Sequence, residues 1–312
     1  VPRRLIEISD GIRLVDFGQH GSHHKLAKYA TLSHSWGSKE AASSLAKTLS
    51  TNIQQHMVAI RRDELPQVFR DAIDVARALN CDFVWIDSLC IIQDSPEDWQ
   101  EQSTLMSDVY SNAYFNIAAS ALPDSSGTLF QDRVHVNALS IDTLMQWVPN
   151  DEAIQCPVTV RYSMDRAHRH ICGEAQYAHE SEEPLLDRAW VFQERMLSRR
   201  TVYISSSEVL WECRSGYLCE CGNINNPIPT GTDRWSWENM MQEYTMLLLT
   251  RESDRDIALS GIRQSFMTGR DFTFYAGMWI QDLPQSLLWI VGGAVSPPIA
   301  YEKGLDAPSW SW

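Results

Sequence analysis

The sequence lacks any apolar run approaching the roughly 20 residues needed to cross a bilayer, and VPRRLIEISDG at its start lacks the apolar centre of a secretory leader. A soluble, cytoplasmic protein without a membrane partner is the expectation. Positive charge is also short: 26 Lys and Arg stand against 40 Asp and Glu, a formal net charge of -14. No basic stripe interleaved with aromatics offsets this, so a phosphate backbone is repelled and nucleic acid is not an expected partner. There is no P-loop, no G-x-G-x-x-G and no G-x-S-x-G, which removes the motifs for an ATP site, a Rossmann-type dinucleotide site and a nucleophile elbow. The seven cysteines are odd in number and follow no short repeat, unlike a secreted disulfide framework; free thiols in a reducing compartment account for them. Cys213, Cys219 and Cys221 make C-x5-C-x-C without a His pair, and His20, His23 and His24 read as a solvated loop, so neither a metal nor a cofactor is expected. The basic RAHRH cluster, Arg166 to His170, reads as surface. Internal repeats and low-complexity tracts are missing too.

Hydrophobic residues make up 44% of the chain, enough to bury a large core. RLIEISDGIRLVDF sets two alternating runs around Asp10-Gly11 and predicts a hairpin. KYATLSHSWG predicts a strand over Tyr29 to Leu32. From Leu65 to Leu79, Pro66 stands where a first-turn proline belongs, and Val68, Phe69, Ala72, Ile73, Val75, Ala76 and Leu79 recur with helical period. A strand follows at Phe83 to Ile86. The next helix runs from Glu97 to Asn112, with Trp99, Leu105, Met106, Val109 and Tyr110 spaced for an inward face, and YFNIAAS supplies another strand. Helix and strand alternating at this spacing predict an α/β fold with a mainly parallel central sheet flanked by helices in three layers. Residues 121–187 read as an insertion. Beyond it come a short helix at Trp190 to Leu197, strands at Thr201 to Ile204 and Glu208 to Trp211, and a helix at Trp235 to Leu249. The expected division is an α/β domain over 1–222 and a helical or irregular C-terminal extension over 223–312.

Three strands finish in polar residues: Ser33 and His34, then Asp87 through Cys90, then Ser120. The carboxyl ends of parallel strands are where loops and helix N-termini converge on a ligand, so this pattern predicts a cleft. Asp87 either caps the following turn or orients a ligand hydroxyl. Cys90 is either a buried, inert thiol or a nucleophile activated by a nearby His. His34, with Asp87 and either Ser33 or Cys90, would make a Ser/His/Asp or Cys/His/Asp set. In the Gln193-Glu194-Arg195 run, Glu194 is either one partner of an ion pair or a carboxylate aimed into the cleft, and Arg188 lies nearly two helical turns before Arg195. Glu101 reads as a solvated helix face.

Three stretches together resemble the fungal HET (heterokaryon incompatibility) domain family: YATLSHSWG, LPQVFRDAIDVARALNCDFVWIDSLCIIQDSPEDWQEQSTLMSDVYSNAYFNIAAS, and DRAWVFQERMLSRRTVYISSSEVLWEC. LTRESDRDIALSGI, YAGMWIQDLPQSLLW and the terminal APSWSW are similar to segments that follow the domain in longer members. In many members a Cys stands between the His and Trp of the first block; here that position is Ser35, so no thiol there serves this chain.

The resemblance implies a fungal protein of nonself recognition and programmed cell death. Through a distant likeness of the family to TIR domains, it also implies a site that cleaves NAD at its glycosidic bond. On that reading Glu194 is the catalytic carboxylate, Asp87 and Arg188 position the ligand, and Trp36 stacks on a ring, with Ser33, Ser88 and Gln193 lining the cleft. Two alternatives stand beside it: an enzyme of fungal secondary metabolism using His34, Asp87 and Cys90, and a non-catalytic signalling module. A small-molecule ligand and either a further copy or a signalling partner are the expected partners.

Overall fold

The computed structural model describes residues 1–18, 27–131, 139–145, 154–160, 183–222, 225–227, 236–251, 254–275 and 277–287. The His20, His23 and His24 loop, the RAHRH cluster, the APSWSW end and most of the expected insertion lie outside them.

Strands β1 (Arg4–Glu7) and β2 (Arg13–Asp16) form the hairpin, with Ile6 opposite Leu14 and Gly11 taking the positive φ of +99° that the turn requires. Strand β3 (Tyr29–Ser33) is buried along its whole length. Two short helices, α1 (Lys39–Ser44) and α2 (Ile53–Val58), lead to α3 (Gln67–Ala78). Pro66 caps α3 from just outside its first turn. The apolar positions Val68, Phe69, Ala72, Ile73 and Ala76 give α3 its buried face. The helix ends in a Schellman motif: Asn80 takes a left-handed φ of 56°, its N–H donates to the Arg77 carbonyl, and the N–H of Cys81 reaches the Ala76 carbonyl. That turn delivers the chain into β4 (Phe83–Trp85).

The strand stops one residue short of the expected end, and Ile86 caps a four-residue helix, α4 (Asp87–Cys90). Helix α5 (Pro96–Asn112) starts from Ser95, whose hydroxyl accepts the Asp98 N–H, with Pro96 in the first turn. Its inward face is Asp98, Gln102, Met106, Val109 and Tyr110. Trp99 and Leu105, expected inside, are more than one-third exposed. The phase is set by Asp98, which pairs with the fully buried Arg4 and accepts the Ile92 N–H. A buried charge must be paired, and that requirement outranks one tryptophan.

Strand β5 (Phe115–Ala118) follows, then β6 (Leu139–Met145) and β7 (Ile154–Val160), an antiparallel pair of their own. Helix α6 (Ala189–Leu197) precedes β8 (Arg200–Ile204), β9 (Val209–Cys213), β10 (Gly216–Cys219) and β11 (Asn225–Pro227). Helices α7 (Trp237–Tyr244), shorter than expected, and α8 (Arg255–Met267) complete the helical layer with α5 and α6.

The nine-stranded sheet runs β11-β10-β9-β8-β5-β3-β4-β1-β2. Its centre, β4-β3-β5-β8, is parallel, as the helix-strand alternation demands; both flanks are antiparallel. From β3 the chain goes first to β4 on one side and then crosses to β5 on the other. The order therefore reverses between β3 and β5, and such a switch point opens a crevice at the strands' carboxyl ends.

Candidate functional site

The residues at that edge arrive by four routes. Ser33 ends β3 and His34 follows it, Asp87 opens α4 one residue beyond β4, Asn116 lies on β5, and α6 with its cap brings Glu194 and Arg188 across the strand ends. Arg188 caps α6, and its Nη1 donates to the His34 carbonyl oxygen at 2.9 Å. This bond ties the start of the helix to the residue that follows β3.

Asp87 is the centre of a fixed network. Its Oδ1 accepts from the Ser88 N–H at 2.6 Å and lies 3.0 Å from His34 Nε2; its Oδ2 accepts from Trp36 Nε1 at 3.0 Å. On the other side of the imidazole, Nδ1 lies 3.0 Å from Ser125 Oγ, and Ser125 Oγ lies 2.8 Å from the Ser35 carbonyl. The ring is further held edge-on to Phe69 of α3, centroids 4.9 Å apart. Burial alone would raise the Asp87 carboxyl, but the His34 ring and the hydrogen bonds from His34, Trp36 and Ser88 more than reverse this, holding it below the usual carboxylate range. Asp87 is thus an ionised group, one-third exposed, with one lone pair of Oδ2 left for a ligand.

Glu194 is tuned the other way. It is 8% exposed, and burial pushes its carboxyl up to about 7. The Ser33 hydroxyl, Arg188 and the Tyr110 phenol moderate the rise, whereas the charge of Asp87 adds to it. Its Oε2 is buried without a hydrogen-bond partner, as is the hydroxyl of Ser88. Two carboxyls driven apart in this way divide into one that is ionised and one that exchanges its proton near neutrality.

Ser33, His34, Trp36, Asp87, Arg188 and Glu194 therefore stand together. Cys90 does not join them: it faces the core, is 1% exposed, and burial pushes its thiol up to about 12, so it is protonated at neutral pH and offers no nucleophile. Gln193 points away from the edge, its Oε1 accepting the Gly261 N–H at 3.1 Å. Arg195 also leaves Arg188 and joins Glu212 at 3.2 Å and Glu243 at 2.8 Å. Glu101 is a surface residue paired with Arg3.

Three contributors are not assigned to the site by the sequence, in which Tyr110 reads only as part of an inward helix face. Tyr110 of α5 is buried against Ser33 and Glu194. Asn116 brackets Ser33, its Nδ2 donating to the hydroxyl at 3.0 Å, while its Oδ1 accepts from Thr31 at 2.8 Å. Ser125, hidden in the turn-like PDSSG, supports the imidazole.

Residues 29–194 match the family model described as Heterokaryon incompatibility protein (HET). The chain belongs to the HET family. The match opens on the first residue of β3 and closes on Glu194, so every member of the network falls inside the HET region. No curated protein and no solved structure matches this HET chain.

Proposed function

We propose that this HET protein is an effector of fungal nonself recognition that hydrolyses the N-glycosidic bond of NAD. The observation that carries this reading is Glu194, a buried carboxyl with one unpartnered oxygen, titrating near 7 beside an ionised Asp87. When the bond from ribose C1′ to the pyridinium nitrogen breaks, nicotinamide leaves with the electron pair as a neutral base, so no acid is needed. The ribosyl cation needs a negative group, which the ionised form of Glu194 supplies. Water then adds to C1′ and gives up its proton, first to Glu194 and then to solvent. Asp87 Oδ2 accepts a ribose hydroxyl, the guanidinium of Arg188 meets the diphosphate, and half-buried Trp36 stacks on a ring.

A second reading, hydrolysis by a Ser/His/Asp set, has the row Ser125, His34, Asp87 in its favour. Its polarity argues against it. Ser125 is the buried end, 4% exposed and held at the Ser35 carbonyl, while the carboxylate is the exposed end. A nucleophile must face substrate, so the row serves to aim Asp87.

The test is incubation of the purified chain with NAD and separation of the products by chromatography, beside Glu194→Gln checked by its melting temperature. Nicotinamide release by the wild type, reduced about 100-fold or more in a folded variant, is expected. An inert wild type, or a variant that keeps its activity, overturns the assignment.

A further inference from the structure

At the far flank of the sheet, away from the network around Asp87, the β9–β10 hairpin gathers another set of reactive groups. Its register pairs Cys219 with Leu210 and Gly216 with Cys213. Continued two residues, it sets Cys221 across from Glu208, and the bonds made there agree: Glu220 N–H donates to the Val209 carbonyl at 3.0 Å, and Cys221 N–H to Glu208 Oε2 at 2.9 Å. Residues two apart on a strand share a face, as do residues directly opposite. Cys219, Cys221 and Glu208 therefore converge, and their ligand atoms all lie within 4.8 Å of one another. Cys213 is carried to the other end of the hairpin. This is why C-x5-C-x-C did not read as a metal motif: the third donor is a glutamate from the preceding turn.

We propose that Glu208, Cys219 and Cys221 form a binding site for a zinc ion. The two sulfurs are 3.1 Å apart, well beyond the ~2.0 Å of a disulfide. A small side-chain rotation opens that separation to the ~3.7 Å spanned by two thiolates on a tetrahedral zinc with bonds of about 2.3 Å. Two thiolates and a carboxylate suit a borderline-soft divalent ion and not calcium or magnesium, which take oxygen alone. Glu208 is 1% exposed while the cysteines are half-buried, so the ion enters from the cysteine side and a fourth position is left for water or another donor. Binding displaces the two thiol protons to solvent. The ion ties the end of β10 to the Ser205–Glu208 turn, in which Ser205 Oγ accepts the Glu208 N–H and the Ser206 N–H holds Glu183.

The test uses the full chain, free of any affinity tag. Zinc is measured by atomic emission after incubation with the ion under reductant and gel filtration, and cobalt is added separately as a spectroscopic probe. One zinc per chain, a thiolate-to-cobalt charge-transfer band in the near ultraviolet and a zinc-dependent rise in melting temperature are expected. Cys219→Ser combined with Cys221→Ser should lose all three, and Cys213→Ser should keep them. Should the double variant fail to fold, the cobalt band of the wild type and its loss in Glu208→Gln decide the matter. A wild type that retains no zinc, a cobalt complex without the band, or a Cys219–Cys221 disulfide persisting under reductant overturns the site.

Discussion

Glu194 and Asp87 respond to pH with opposite signs. The Glu194 carboxyl, ordinarily at 4.5, stands near 7 in the fold, so ionising it in place costs on the order of 3 kcal/mol. The favourable contribution of its neutral form is complete below pH 4.5 and is lost as pH rises through 7. Glu194→Gln keeps the neutral shape without the cost. It should melt several degrees above the wild type at pH 8, the two curves converging toward pH 4.5; equal melting at pH 8 would refute the burdened carboxylate. Activity should move the other way, climbing through pH 7 as Glu194 ionises, which a pH profile of nicotinamide release reads directly. A residue that destabilises the fold when it is ionised for work points to function over packing. Asp87, held low, stabilises the fold above its unfolded value and loses that contribution as pH falls through its folded value. Asp87 could be picked out in the sequence because a charge ends a hydrophobic strand. Glu194 is a candidate in the sequence but stands between two roles until the family resemblance favours one, since nothing in VFQERM separates a buried catalytic acid from half of an ion pair. Ser125 and Asn116 carried no mark at all, because a serine in a turn and an asparagine in a strand are recognised only by what they touch.

The close approach of α8 to α5 and α6 depends on Gly261. A Cβ there would lie 2.7 Å from Ser107 Cβ, 3.0 Å from Gln193 Oε1 and 3.1 Å from Leu197 Cδ1. Gly261→Ala gains helix propensity of roughly 1 kcal/mol but must push two helices apart. We expect a net destabilisation of about 1–3 kcal/mol by urea unfolding. Because Glu194 follows Gln193 on α6, nicotinamide release should fall as well. A stabilised variant would show that the contact is looser than the geometry states. The existence of the central elements was written in periodicity: the α3 face and the β3, β4 and β5 runs all appear where spacing placed them. Pairing was not. Periodicity says which face of a strand is buried and not which strand lies beside it, so the antiparallel contact of β1 with β4, Ile6 opposite Val84, had no counterpart in the sequence. The inward phase of α5 was hidden for a related reason, since Asp98 turns inward for Arg4, 94 residues away.

The HET match ends at Glu194, but the sheet and its core do not. β5 continues into β8 through the parallel pairing of Ile117 with Val202, and β9 to β11 extend that flank. Beyond residue 222, Trp237, Met240, Tyr244, Leu259, Ile262 and Trp279 belong to the same buried cluster as Leu5, Val84 and Phe192. Arg195, buried on α6, reaches Glu212 on β9 and Glu243 on α7. Removing everything after 222 would expose the apolar face under those six side chains, at about 1.5–3 kcal/mol for each. It would also strip Glu243 from a buried guanidinium. Their sum is on the order of 10 kcal/mol, comparable to the 5–15 kcal/mol that holds a whole domain folded. We therefore expect the full chain to melt in one cooperative transition followed by circular dichroism, and a 1–222 fragment to show no cooperative melt and no nicotinamide release. A fragment that melted cooperatively would mean that the strands and α6 suffice to hold Glu194 at the sheet edge, with α7 and α8 only resting against them.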